Sequence, residues 1–375
     1  MGQKILMALN RFDIGGAETH VVELSKELQR RGYEVILASS GGAYVAELEA
    51  LHMRHVTVPL DERSFIKMYR SKRLLKKLIE QERPQLVHAH ARIPGFLCGL
   101  LQRKMKFPFV TTAHWVFYTD TLLRMLTNWG QYTIAVSEDI KTYLMESYHV
   151  PESQIVVTVN GIDTEKFSPD IAKESMVREL GLDASAPIIG TVSRLDDSRA
   201  LCTRRMIAVA PKLAAAFPGL QMLIVGSGDV FDELKAAAEE VNRTIGRRCI
   251  VMTGARTDIN RLVAVCDVFL GVSRAALEAM AEEKPVILAG NEGYIGIFSE
   301  QTLDTARESN LCCRGCPSLE EDALIRDVTD LLQASPEERA ALGRYGRELV
   351  LKEYSVKRMA DDCERAYQMA WKQKK

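Results

Sequence analysis

The sequence predicts an α/β protein made of two doubly wound, Rossmann-like domains that face a central cleft. Three observations predict it. Short apolar or β-branched strands alternate with helical segments along the chain. The alternation pauses once, in the turn-forming stretch Asn160–Pro169, and then restarts. Glycine- or serine-rich turns follow strands in both halves, where open parallel sheets bind their ligands.

The elements follow in order. The first half, residues 1–165, offers strands at Ile5–Leu9, Val35–Ala38, Leu86–Ala89, Phe109–Thr112 and Thr133–Val136. A helix at Ala17–Arg31 places Val21, Val22, Leu24 and Leu28 on one face and is capped by Gly32. The second half, residues 170–350, offers strands at Ile188–Val192, Met222–Val225, Ile250–Thr253, Val268–Leu270 and Val286–Leu288. Residues 355–375 close the chain with a helix whose stripe is Met359, Cys363, Tyr367 and Trp371.

Composition narrows the function classes. A chain of 375 residues, 47% hydrophobic, is long enough for two cores. A net charge of −1 gives no field that gathers nucleic acid. No apolar run approaches the ~20 residues of a membrane span. The opening MGQKILMAL reads as a first strand rather than a signal peptide. Eight scattered cysteines, with Cys98, Cys202 and Cys266 in apolar context, fit reduced thiols. A cytoplasmic location is expected.

The most informative stretch is Asp267–Gly290. A strand runs into a Gly/Ser/Arg turn, and a helix opens around Ala276-Leu277-Glu278. A helix N-terminus at a strand end presents unpaired N–H groups to a phosphate. Glu278, expected on the first turn, suits ribose hydroxyls because a carboxylate only accepts. Arg194 and Arg199 follow another strand and can clamp a pyrophosphate. Gly15 and Gly16 precede a helix, where backbone can approach an anion closely. Gly226-Ser227-Gly228 also follows a strand, but Phe231 stands where a dinucleotide fingerprint needs its third glycine. Each of these turns also has a purely structural reading as a tight connection or a solvated charge pair.

His88, His90 and His114 end strands; His114 is the better candidate for orienting a sugar, and His88 for a structural role. Cys312, Cys313 and Cys316 lack a fourth ligand at zinc spacing, so no metal is expected there. Ser64–Leu78 is a basic amphipathic helix, with Lys67, Arg70, Lys72, Arg73, Lys76 and Lys77 among Phe65, Ile66 and Tyr69. It suits anionic headgroups or, more plainly, solvent. The run Trp115-Val116-Phe117-Tyr118 suits stacking on a sugar or packing as a lid.

In order and spacing these motifs resemble the retaining, GT-B-fold glycosyltransferases of family 4. The marks are Gly15-Gly16-Ala17-Glu18, the His114 loop, Ala135-Val136-Ser137, Asn160-Gly161-Ile162-Asp163, Ser193-Arg194-Leu195, Val225-Gly226-Ser227-Gly228, and Leu277-Glu278-Ala279-Met280 with Lys284-Pro285. The resemblance runs from Lys4 to about Tyr367. It implies an acceptor-binding first half, a donor-binding second half and a last helix that packs back on the first. It implies a hexose moved from a nucleotide diphosphate sugar, UDP- or GDP-linked, to a glycan or lipid-linked acceptor in cell-surface polysaccharide synthesis. Neither metal nor other cofactor is implied. His114, Arg194, Arg199 and Glu278 take the catalytic roles. Gly15, Gly16, Gly226, Ser227, Gly228, Ser273, Arg274, Ala275, Ala276 and Leu277 line the donor. Arg11, Phe12, His90, Arg92 and Trp115 line the acceptor.

One position departs. Family members carry a Glu eight residues before Glu278, against the donor sugar, and this chain has Leu270. Ser273 or Arg274 then takes the sugar contact, or the chain is a non-catalytic sugar-nucleotide-binding subunit. A nucleotide-sugar epimerase on the same fold is a further alternative.

Overall fold

A computed structural model describes residues 3–13, 15–62, 64–116, 124 and 127–373. The chain divides into two units, Met1–Gly161 with Tyr354–Lys375, and Ile162–Glu353.

The first unit holds a seven-stranded parallel sheet. Its strands are β1 (Lys4–Ala8), β2 (Glu34–Ser39), β3 (Arg54–Thr57), β4 (Leu86–Ala89), β5 (Phe109–Ala113), β6 (Tyr132–Ala135) and β7 (Ile155–Val157). They lie in the order β3-β2-β1-β4-β5-β6-β7. Ile5, Leu6, Met7 and Ala8 are all fully buried, so β1 is covered on both faces and reads as a continuous apolar run. The Gly16–Arg30 helix buries Val21, Val22, Leu24 and Leu28. It stops where Gly32 takes φ +88°, a left-handed conformation that costs glycine least.

The Val356–Lys372 helix belongs to this unit. Ser355 caps it by accepting from the Arg358 N–H. Its expected stripe is buried: Met359, Cys363 and Tyr367 join one cluster with Ile5, Val110 and Ile134. Each such large side chain contributes roughly 1.5–3 kcal/mol by leaving water. Arg31 adds a tether, reaching Asp361 at 2.6 Å and Glu364 at 2.5 Å.

The second unit holds β8 (Ile188–Val192), β9 (Gln221–Val225), β10 (Ile250–Met252), β11 (Val268–Gly271), β12 (Val286–Gly290) and β13 (Gly293–Ile297). Their order is β10-β9-β8-β11-β12-β13. All pairs are parallel except β12 with β13, whose register shifts between Leu288 and Ala289.

In both sheets the strand order reverses direction once, at β1/β4 and at β8/β11. A ligand of a doubly wound sheet binds beyond the carboxyl ends of the strands at that reversal. The turns read from the sequence lie there: Asn10–Asp13 and Gly15-Gly16 after β1, His90 after β4, Ser193–Arg199 after β8, and Val272-Ser273 after β11. Among the described residues no helix is long and apolar enough to cross a membrane.

Candidate active site

In the second unit the β11 turn is tighter than the sequence suggests. The strand runs to Gly271 and the helix opens at Ser273, so Val272 alone connects them. Glu278 therefore lies on the second turn, not the first. Ser273 takes φ +52°, uncommon for a residue with a Cβ, and its N–H donates to Leu311 O at 2.8 Å. That amide is spent within the protein. The side chains of Ala276 and Leu277 are core, 0% and 3% exposed, so only their backbone can meet a ligand. Ala275 is half-buried.

Glu278 is 8% exposed and accepts from Arg274 Nε at 2.8 Å, one helical turn away. The pairing orients the carboxylate, which when ionised only accepts. Arg274 thus positions Glu278. Leu270 is 1% exposed and packs in one cluster with Ile189, Ile224, Val268 and Ile287. Its side chain faces the core, so the departure from the family pattern is a packing residue.

After β8, Arg194 is exposed, and Arg199 meets Asp196 at 3.4 Å. A pair half open to water holds its partners by ~1 kcal/mol or less, so Arg199 can leave Asp196 for a phosphate. Gly226 and Gly228 answer to the protein itself. Gly226 has φ +140°, and a Cβ there would lie 1.8 Å from Ser193 O; at Gly228 it would lie 2.3 Å from Leu195 O. These glycines let the β9 turn press against the β8 turn, where Leu195 N–H donates to Ser227 O at 3.0 Å. Ser227 itself is exposed.

In the first unit the strand ends are lined with imidazoles. His88 is fully buried, with Nδ1 2.8 Å from the Tyr367 hydroxyl and Nε2 2.7 Å from Thr112 Oγ1. It is structural: it ties the last helix to the sheet. His90 stacks on it at 3.9 Å between ring centres and reaches His114, Nδ1 to Nε2, at 3.3 Å. His20, absent from the sequence reading, packs edge-on against His114 at 4.8 Å and meets Asn160 Oδ1 through Nδ1 at 3.2 Å. Its signal was its place four residues past Gly16, on the same helix face. Desolvation lowers the pKa of His88 to about 3. Desolvation, and then the neighbouring imidazoles, hold His90 and His114 well below the ordinary value. His88, His90 and His114 therefore offer neutral rings, able to donate or accept, with no charge.

The expected acceptor residues separate. Phe12 is fully buried, packs edge-on against His55 and belongs to the sheet core, so it lines no pocket. Its ring packs in one cluster with Ile5, Met7 and Leu9, which its flanking polar residues did not reveal. Arg11 is held between Asp13 at 2.8 Å and Asp61 at 3.4 Å. Arg92 opens the helix after β4 and donates to the Tyr148 hydroxyl at 3.3 Å. Trp115 is exposed, at 57%. Ile14 and Phe117–Asp120 of the expected acceptor loops lie outside the described residues.

Residues 14–166 match the family model described as Glycosyltransferase Family 4, and residues 186–333 that of Glycosyl transferases group 1. The UDP-Gal:alpha-D-GlcNAc-diphosphoundecaprenol alpha-1,3-galactosyltransferase of Escherichia coli is 25% identical over 262 residues, 64% of this chain and 65% of that protein. The match thus spans just under two thirds of that relative's length. A glycosyltransferase from Rickettsia africae ESF-5 superposes with a TM-score of 0.80 at 20% identity, covering 99% of this chain and 100% of the other. Anabaena HepE in complex with UDP superposes with a TM-score of 0.75 at 16% identity, covering 98% and 100%. The structural likenesses carry the fold, GT-B with its two Rossmann-like units. With the two family models together spanning most of the chain, the protein belongs to the family 4, group 1 glycosyltransferases, and is a transferase of that class.

Proposed function

We propose that the protein transfers a hexose, with retention, from a nucleotide diphosphate sugar to a lipid-linked or glycan acceptor of the cell envelope. The observation that carries the reading is at the β8/β11 reversal: Arg194 and Arg199 follow β8, and the helix after β11 carries a carboxylate, Glu278, already oriented by Arg274. Two guanidiniums suit a leaving diphosphate, and a fixed acceptor suits a ribose. UDP is the favoured carrier, because HepE is seen with UDP and the E. coli relative is named for UDP-Gal. The second of those names also motivates the lipid-linked acceptor.

In this reading the bond from the anomeric carbon to the diphosphate oxygen breaks. A bond from that carbon to the acceptor oxygen forms on the same face. The acceptor's proton passes to the departing phosphate, so no protein base or metal is needed for the step. Arg194 and Arg199 stabilise the negative charge that develops. Positioning supplies the rest.

The Phe65–Glu82 helix would hold the protein at an anionic membrane face. Phe65, Ile66 and Tyr69 are 78%, 84% and 62% exposed on it, amid the six basic residues. Apolar side chains that enter the interface beside lysines are what such binding uses.

Buried Leu270 favours a second reading, a subunit that binds sugar nucleotide without turnover. One series separates them. A ligand at 100 times its Kd stabilises by about 2.7 kcal/mol, so UDP, GDP, ADP and dTDP are ranked by thermal shift, then their sugars. The expected result is a shift with UDP, lost in Arg194→Ala, and an α-linked product from an α-linked donor by NMR. A shift without turnover supports the subunit; no shift with any nucleotide removes both.

A further inference from the structure

We propose that His20, His90 and His114 form a three-imidazole site for a first-row transition metal ion, zinc above all, with one position left for water. Ring nitrogens of the three lie within 4.8 Å of one another, and among the described residues they are the one such group of metal-ligating side chains. Three nitrogens on a tetrahedral zinc at ~2.0–2.1 Å sit ~3.3 Å apart. His90 Nδ1 and His114 Nε2 already stand at 3.3 Å. His20 closes the triangle by a small ring movement.

Supporting contacts set the rings. Nδ1 of His20 faces Asn160 Oδ1, which only accepts, so Nδ1 carries the proton and Nε2 the lone pair. A metal-bound histidine is oriented in the same way, through its other nitrogen. His88, held at both nitrogens, forms the floor under His90. His90 is 3% exposed, so a metal on its Nδ1 would sit in a buried place. His114 alone of the three is half-buried, so the fourth position opens on its side. Three imidazoles select zinc, copper or nickel over magnesium or calcium, which prefer oxygen.

The test uses the full chain with metal alone, independent of any nucleotide or acceptor. Zinc chloride is titrated calorimetrically, and cobalt(II) is followed by its visible absorption. The expected result is one equivalent of zinc, and an intense tetrahedral cobalt spectrum without a thiolate charge-transfer band. His90→Ala and His20→Gln should each weaken binding at least tenfold. Cys312→Ser with Cys316→Ser should leave it unchanged. Wild-type-like far-ultraviolet circular dichroism shows that each variant folds. Absence of zinc binding to the wild type overturns the site. So does binding that survives in folded His90→Ala, or that disappears in the cysteine variant.

Discussion

The two glycine turns, Gly15-Gly16 in the first unit and Gly226-Ser227-Gly228 in the second, look alike in sequence and differ in what they do. At Gly226 the protein itself demands glycine: φ is +140°, and a Cβ would strike the backbone oxygen of Ser193 at 1.8 Å. At Gly16 it demands nothing: no heavy atom lies within 4 Å of where a Cβ would be. Gly15 is intermediate, its Cβ meeting only the flexible end of Glu18 at 2.3 Å. A glycine the fold requires says little about ligands. One that the fold would exchange for alanine without strain leaves the ligand as a reason to keep it.

The largest effect should come from Gly226→Ala. Left-handed backbone and a collision with main chain, rather than with a side chain that can turn away, put the cost at ~3 kcal/mol or more. Urea unfolding read by far-ultraviolet circular dichroism measures it. A loss below ~1 kcal/mol would mean the β8 and β9 turns separate easily, and the contrast between the glycine turns would collapse.

The units also differ in how burial treats their titratable groups, and this sets opposite pH responses. In the second unit Glu282 is 2% exposed; burial pushes its pKa up to about 9, against the pull of Lys284. Both its carboxylate oxygens lack hydrogen-bond partners. The folded protein keeps this proton where the unfolded chain has lost it. Stability should therefore fall as pH rises from 4.5 to about 9, by at most ~1.4 kcal/mol per pH unit. In the first unit the histidines run the other way. Their folded pKa values are depressed, so the unfolded chain takes up protons and stability falls as pH drops below 6.5. Glu282→Gln should flatten only the alkaline loss. All three tryptophans, Trp115, Trp129 and Trp371, lie in the first unit, so their fluorescence isolates the histidine response. Unfolding curves at pH 5.5, 7 and 8.5 that stay parallel for wild type and variant would sink the assignment to Glu282.

The same contrast explains what the sequence disclosed. Central strands such as β1 and β11 are buried on both faces, so their apolar runs stand out. Strands β3, β7 and β13 did not: β3 is a partly exposed edge, β7 has three residues, and β13 contains two glycines. Arg194 and Arg199 fall after β8 and Glu278 after β11, as read, because the apolar runs before them mark where those strands end. Phe12 was misplaced because an aromatic in a polar turn looks exposed until the fold buries it. His20 was missed because its one signal, a place four residues past Gly16, looks like any polar position on an amphipathic helix. The bond from His88 to Tyr367 spans 279 residues, a separation no local pattern encodes.

Gly16→Ala should give the smallest effect on stability and the most informative one. Gly16 is the first residue of its helix, and its backbone is not left-handed. Alanine loses less entropy on folding and should stabilise by ~0.5–1 kcal/mol. If a ligand's phosphate or hydroxyl approaches this backbone, the added methyl occupies its path, and KM should rise about tenfold, equivalent to ~1.4 kcal/mol. The two effects have opposite signs, which a general loss of structure cannot produce. Thermal unfolding of the free protein reads the first, and initial-rate kinetics against donor and acceptor in turn read the second and say which substrate is obstructed. Higher stability with unchanged KM for both would reduce Gly15-Gly16 to a connection between β1 and its helix. The recognition chemistry of the first unit would then rest on its imidazoles alone.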